Sequence, residues 1–104
     1  MKPGEAIFVN MNREVASEQI AQTQWAPCIF EHVYIARPDS VLDGVSVYKS
    51  RLRMGKFLGE KIKKSMADGL KIDVVIPVPD TARSAAVEIA ATIGVPYREG
   101  LIKN

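Results

Sequence analysis

The stretch Ile72–Gly94 constrains the fold most, because its hydrophobic period changes within a few residues. Val74, Val75 and Ile76 are β-branched and run into Pro77 and Pro79, which reads as a short buried strand. Neither proline carries an N–H for a sheet ladder, so the strand is expected to stop there. Asp80 or Thr81 can then cap a helix by accepting a main-chain N–H. In the alanine-rich run that follows, Ala86, Ile89, Ala90 and Ile93 recur at i, i+3, i+4 and i+7 and make a core face. Ser84, Glu88 and Thr92 make a polar line. Gly94 stands where the helix needs a left-handed residue to end. A second strand is expected from Val95. Strand, polar turn, helix and strand form a βαβ unit, and such units bind ligands at the carboxyl ends of their strands. Here that position is Asp80–Thr81.

With 104 residues the chain has room for one small domain and not for two full ones. Apolar residues make up 47% and charged residues 25%, which is ordinary globular usage and argues against disorder. A net charge of +2 names no partner. Cys28 is the sole cysteine, which leaves no internal disulfide and fits a reducing, cytoplasmic setting. No apolar run is long enough to span a bilayer, and Met1–Glu5 lacks the apolar core of a secretion signal.

Upstream, Gly4–Val9 and Val15–Ile20 flank the Asn-rich Asn10–Arg13 and predict a β-hairpin. A lone hairpin is marginal in water, so Ile7 and Val9 call for a sheet that the rest of the chain does not supply. Residues 21–26 read as a connector. Pro27–Ala36 is the most aromatic stretch, and its pattern leaves two readings open: Ile29, Val33 and Ile35 alternate as on a strand, while Phe30, Val33 and Tyr34 share a helical face. Arg37–Ser40 is a turn, in which Asp39 or Ser40 can bond the main chain ahead, and Asp43-Gly44 is another. A long helix is expected from Ser46, its N-cap, to about Ala67, with Val47, Met54, Leu58, Ile62 and Met66 as its apolar stripe. Gly55 and Gly59, one turn apart, each cost about 1 kcal/mol relative to alanine. Close approach of a neighbouring backbone is the expected compensation.

Each constellation has a plain structural reading beside the functional one. Asp80-Thr81 is a helix cap, or else a hydroxyl and main-chain N–H groups facing an anion. Lys49, Arg51, Arg53, Lys56, Lys61, Lys63 and Lys64 are a solvated helix face, since nucleic-acid binding would gather such charges on one side among aromatics. Cys28 and His32 are spaced i, i+4, which could hold a metal if the stretch were helical, but two ligands do not make a zinc site and both read as packing residues. The residues by themselves define an α/β piece with a candidate anion site, and no reaction.

Several runs, in order, resemble the amidophosphoribosyltransferase family, the glutamine-dependent phosphoribosyl pyrophosphate (PRPP) amidotransferases of purine synthesis. They are Pro27–Ser40, Asp43–Tyr48, Arg53–Gly55, Asp73–Thr81 and Gly94–Asn104. The resemblance implies an α/β chain: a partial type I phosphoribosyltransferase fold, the βαβ start of a parallel sheet, preceded by the terminal β-hairpin of an Ntn-hydrolase glutaminase domain. Residues 1–26 would be the end of the glutaminase domain with its connector, and residues 27–104 the beginning of the transferase domain. The whole enzyme would free ammonia from glutamine and use it to displace pyrophosphate from PRPP, giving 5-phosphoribosylamine.

The same resemblance assigns Asp80, Thr81, Lys103 and Asn104 to the PRPP side. It makes the Thr81 hydroxyl a contact to Mg, and Phe30 and Tyr34 the region where the two domains meet. Cys28 matches a ligand to the 4Fe-4S cluster that some members carry. The implied enzyme is a cytoplasmic homo-oligomer using neither nucleic acid nor membrane. Two departures matter. The family's N-terminal cysteine nucleophile is not matched by Met1-Lys2, and the acidic pair and glycine-rich loop that grip PRPP would lie beyond Asn104. No catalytic residue is therefore expected within the chain, and the chain alone is expected to be inactive. Two other readings stand beside this one: a non-enzymatic basic-helix interaction module, and a salvage-type phosphoribosyltransferase in which the hairpin would have no place.

Overall fold

Asn10 reverses the chain at its first turn. Its Oδ1 accepts from the N–H groups of Asn12 (2.9 Å) and Glu14 (3.0 Å), and Arg13 takes a left-handed φ of 64°. The strands on either side, β1 (Glu5–Val9) and β2 (Val15–Gln19), pair antiparallel with Val9 opposite Val15 and Glu5 opposite Gln19. The computed structural model describes residues 1–104, and in it this hairpin lies on no other sheet: Ile7, Phe8 and Val9 are all exposed.

The aromatic stretch is helical. Glu31–Ile35 forms one π-helical turn, closed by the Ala36 N–H on the Glu31 carbonyl at 3.0 Å. The strand alternative fails because no strand lies alongside to pair with it. The turn at Arg37–Ser40 is present, closed by Ser40 N–H on the Arg37 carbonyl, but Asp39 takes the Arg37 guanidinium at 3.0 Å instead of the main chain ahead. Asp43 (φ 52°) and Gly44 (φ 76°) then join β3 (Val41–Leu42) to β4 (Val45–Ser46) in a two-residue hairpin, whose turn needs left-handed backbone at both central positions.

Helix α1 (Val47–Ala67) starts where the sequence signals it, with the Ser46 hydroxyl accepting from the Lys49 N–H. Its buried line is Val47, Arg51, Gly55 and Gly59, one residue per turn. That corrects the expected stripe: Met54, Ile62 and Met66 are half-buried and Leu58 is exposed. The glycines decide the contact, because they make room for α2 (Arg83–Ile93), Gly55 for the Ala85 main chain and Gly59 for the Thr92 side chain. A Cβ at Gly55 would lie 2.8 Å from Ala85 Cα, and one at Gly59 would lie 2.7 Å from Thr92 Cβ. From α2 the core receives Ala86, Ala90 and Ile93, with Ile89 half-buried. Thr92, expected on a polar line, packs on Gly59 instead.

The expected buried strand at Val74–Ile76 is reduced to one parallel bridge, Val75 to Tyr97, with Val75 N–H on the Pro96 carbonyl and Arg98 N–H on the Val75 carbonyl. With one neighbour bonded at one rung only, no ladder extends, and Val74 and Ile76 stay exposed. The βαβ connection is thus present at a single rung. Gly94 ends α2 in the left-handed conformation with φ 77°, as its position predicts. No helix is long and apolar enough to cross a membrane.

Candidate functional site

Pro79, Asp80 and Thr81 form the passage from the Val75 bridge into α2, and the Pro79–Asp80 peptide is cis. Neither Asp80 nor Thr81 caps the helix, contrary to the capping reading. The N-cap position is Ala82, already in helical backbone, and no side chain caps it. Asp80 lends its carbonyl to the Arg83 N–H at 3.3 Å, and its carboxylate lies 3.5 Å from Arg83 Nη2. Arg83 in turn sits 3.5 Å from Glu99, so the junction is tied to the segment after the bridge. The first-turn N–H groups of α2 therefore have no side-chain partner, and an uncapped helix N-terminus favours negative charge.

In front of this terminus lies a cleft of about 330 Å³ walled by Tyr34, Ile35, Pro79, Asp80, Thr81 and Lys103. Three residues assigned from sequence to one anionic ligand, Asp80, Thr81 and Lys103, share it, although Lys103 is distant in sequence. Asn104 and Phe30 are not among its walls. Tyr34, expected at a domain boundary, forms one side of it. A second hollow of about 310 Å³, mostly apolar, lies behind Tyr34 and Thr81 and is lined by Val33, Arg51, Met54, Leu58, Ala82 and Ala85 as well. Cys28 is exposed and shares a third hollow with Glu31, His32 and Asp43, but no three acidic, histidine or cysteine side chains come together to hold a metal.

Arg51 is the site residue that the sequence reading placed wrongly. It belongs to no solvated basic face: it is 2% exposed, whereas Lys49, Arg53, Lys56, Lys61, Lys63 and Lys64 are exposed. Its Nε donates to the His32 carbonyl and its Nη2 to the Ala36 carbonyl, both at 2.8 Å. Nη1, like His32 Nε2, is buried without a hydrogen-bond partner. One signal was available in sequence, since Arg51 stands in register with Val47, Gly55 and Gly59 on the line that packs against α2.

The fold and cleft together define an α/β segment in which Asp80, Thr81 and Lys103 line one cleft beside an uncapped helix N-terminus. Relatives narrow that class. The chain is 53% identical over 105 residues to the amidophosphoribosyltransferase of Pseudomonas aeruginosa, covering 100% of this chain and 21% of that protein. It is 51% identical over 108 residues to the Saccharomyces cerevisiae amidophosphoribosyltransferase (100% and 21%) and 50% identical over 103 residues to that of Escherichia coli (98% and 20%). Among solved structures, glutamine PRPP amidotransferase from B. subtilis complexed with ADP and GMP superposes with a TM-score of 0.70 at 36% identity, over 99% of this chain and 21% of that one. No protein-family model matches the chain. Along its whole length, then, the sequence is of the amidophosphoribosyltransferase family, and the chain spans about a fifth of the length of the curated relatives it matches.

Proposed function

We propose that this chain is the part of an amidophosphoribosyltransferase in which the glutaminase domain gives way to the phosphoribosyltransferase domain, and that the whole protein makes 5-phosphoribosylamine from PRPP and glutamine-derived ammonia. The whole-length match to enzymes of that name carries the reading. On it, residues 1–26 close the glutaminase domain and residues 27–104 open a type I phosphoribosyltransferase fold. The unsupported hairpin fits this division, since its exposed Ile7, Phe8 and Val9 call for a sheet of another domain. The chemistry lies outside this segment. What the segment contributes is one wall of the PRPP site: the open N-terminus of α2 and Lys103 for phosphate charge, and the Thr81 hydroxyl for a metal bound to it.

The donors fit Mg²⁺, a hard cation that takes carboxylate, hydroxyl and phosphate oxygens, and both Asp80 and Thr81 offer oxygen at the cleft. Bound there, the ion would neutralise phosphate charge while the protein groups orient the ligand. An iron–sulfur cluster is another matter. Cys28 supplies one thiolate, with no second cysteine in the chain, and no step is assigned to a cluster.

Thr81→Val in the full-length protein tests the reading, because valine keeps the shape and removes the hydroxyl. A lost bond to a charged partner weakens Mg–PRPP binding by about tenfold or more. Thr81 caps no helix, so thermal stability should be unchanged. Undiminished PRPP affinity in a variant of lowered stability would reverse the assignment and make Thr81 a structural residue.

A further inference from the structure

Arg51 is the only charged side chain in the buried core, and it has no carboxylate partner: the ion pairs of the chain are Arg37–Asp39, Arg83–Asp80 and Arg83–Glu99. Burying a guanidinium is costly unless its hydrogen bonds are replaced. A line made otherwise of Val47, Gly55 and Gly59 would pack at least as well around an apolar residue, so packing does not account for an arginine there. What accounts for it is its pair of acceptors. The carbonyls of His32 and Ala36 lie 19 and 15 residues away in sequence and bracket the end of the one-turn π-helix. A short helix leaves its last carbonyls without main-chain donors, and these carry partial negative charge that suits a cation. The planar fork of arginine reaches both at once, and the single ammonium of lysine cannot.

Between the two clamped carbonyls stand Val33, Tyr34 and Ile35. Tyr34 and Ile35 wall the cleft that holds Asp80, Thr81 and Lys103, while Val33 and Tyr34 wall the apolar hollow that Arg51 itself lines. Tyr34 is otherwise poorly held, being 66% exposed on a helix of one turn. We infer that Arg51 is a positioning residue: by clamping the carbonyls of His32 and Ala36 to α1, it holds Tyr34 at the mouth of the α2 N-terminus and so sets the shape of the anion cleft. The functional half of this inference rests on the reading of the cleft as a PRPP-side site. The clamp itself rests on geometry alone.

The test uses Arg51→Lys in the full-length protein, with Arg51→Met beside it. Lysine retains the stem and the charge, so the folded protein is kept while one of the two bonds is lost. Amide hydrogen exchange should rise in residues 31–36 and stay at the parent level in 47–67 and 83–93. KM for PRPP should rise more than kcat falls, by tenfold and up to about 100-fold, the scale on which a displaced positioning group acts. Arg51→Met should exceed Arg51→Lys in both. Unchanged exchange at 31–36, or equal loosening of both long helices, would overturn the clamp. Loosening at 31–36 with an unaltered KM would overturn the cleft-shaping role, provided that Thr81→Val raises KM in the same assay. If Thr81→Val leaves KM unaltered too, the failure belongs to the PRPP reading, and local exchange alone decides the clamp.

Discussion

Tyr97 sits at the single rung that joins the two ends of the βαβ connection, and its hydroxyl donates to Glu99 Oε1 at 2.5 Å. Ionising the phenol would lose that bond and set two anions side by side. Its pKa is accordingly raised above the ordinary phenol value, first by the Glu99 hydrogen bond and then by desolvation and the Glu99 charge, with Arg83 acting the other way. A raised folded-state pKa means that the stabilisation is fully present below the unfolded value, about 10, and is lost as pH rises through the folded-state value. Phenolate absorbance should show this directly, with Tyr97→Phe identifying which of the 3 tyrosines titrates late. Glu99→Gln should return that midpoint toward the ordinary range. A midpoint indifferent to Glu99→Gln would mean that the hydrogen bond is not its cause. Arg51 makes the complementary point at this scale: a charge can be legible as a residue type and illegible as a role, because its acceptors are main-chain carbonyls that no side-chain pattern reveals.

Between elements, the α1–α2 contact depends on two positions. Alanine at Gly55 or Gly59 would gain about 1 kcal/mol in helix propensity. Against that, the new Cβ at Gly55 meets the Ala85 main chain, which cannot turn aside, and overpacking of this kind costs about 1–3 kcal/mol. Gly55→Ala should therefore lower stability in urea unfolding despite the better helix former. Gly59→Ala should do so as well, since the atom nearest its new Cβ is the Thr92 Cβ, which rotation of the side chain does not move. A stabilising Gly55→Ala would show that the helices are free to separate and that the close approach is not essential. The glycine spacing and its compensation are readable in sequence, as are both caps of this region, Ser46 and Gly94. The face of α1 that they select is not: the apolar stripe suggests a neighbouring line, and the glycines shift it toward Val47, Arg51, Gly55 and Gly59.

The whole chain exposes 8353 Å² and has a radius of gyration of 19.9 Å. A compact protein of 11.4 kDa would expose about 5,800 Å² with a radius near 13 Å. Only 8 of 104 residues are buried, and Ile7, Phe8, Val9, Phe30 and Phe57 face solvent. Residues 1–104 expressed alone should therefore associate with rising concentration and bind a hydrophobic dye, through the hairpin and the open edges at Val75 and Tyr97. Sedimentation velocity would detect it; a monodisperse, dye-free monomer would contradict it. The same preparation should show neither glutaminase activity nor PRPP-dependent pyrophosphate release. Turnover above background would mean that the chemistry lies within these residues after all.

Local pattern determined the hairpin, the long helix from Ser46, the helix ended by Gly94 and the polar junction at Asp80–Thr81, because each depends on neighbours within a few residues: turn-forming Asn and Gly, a hydroxyl before an apolar period, prolines without an N–H. Pattern also carried the likeness to the amidophosphoribosyltransferases, through short runs whose order is visible without coordinates. Tertiary structure decided the rest. It brought Lys103 and Tyr34 to Thr81, withdrew the caps expected of Asp80 and Thr81, made the aromatic stretch a π-turn and buried Arg51 beneath it. It also cut the expected strand at Val74–Ile76 to one rung. The physical reason is common to all of these. A strand, a cleft or a buried cation is completed by partners distant in sequence, and the free energy that selects it resides in contacts that local periodicity does not encode.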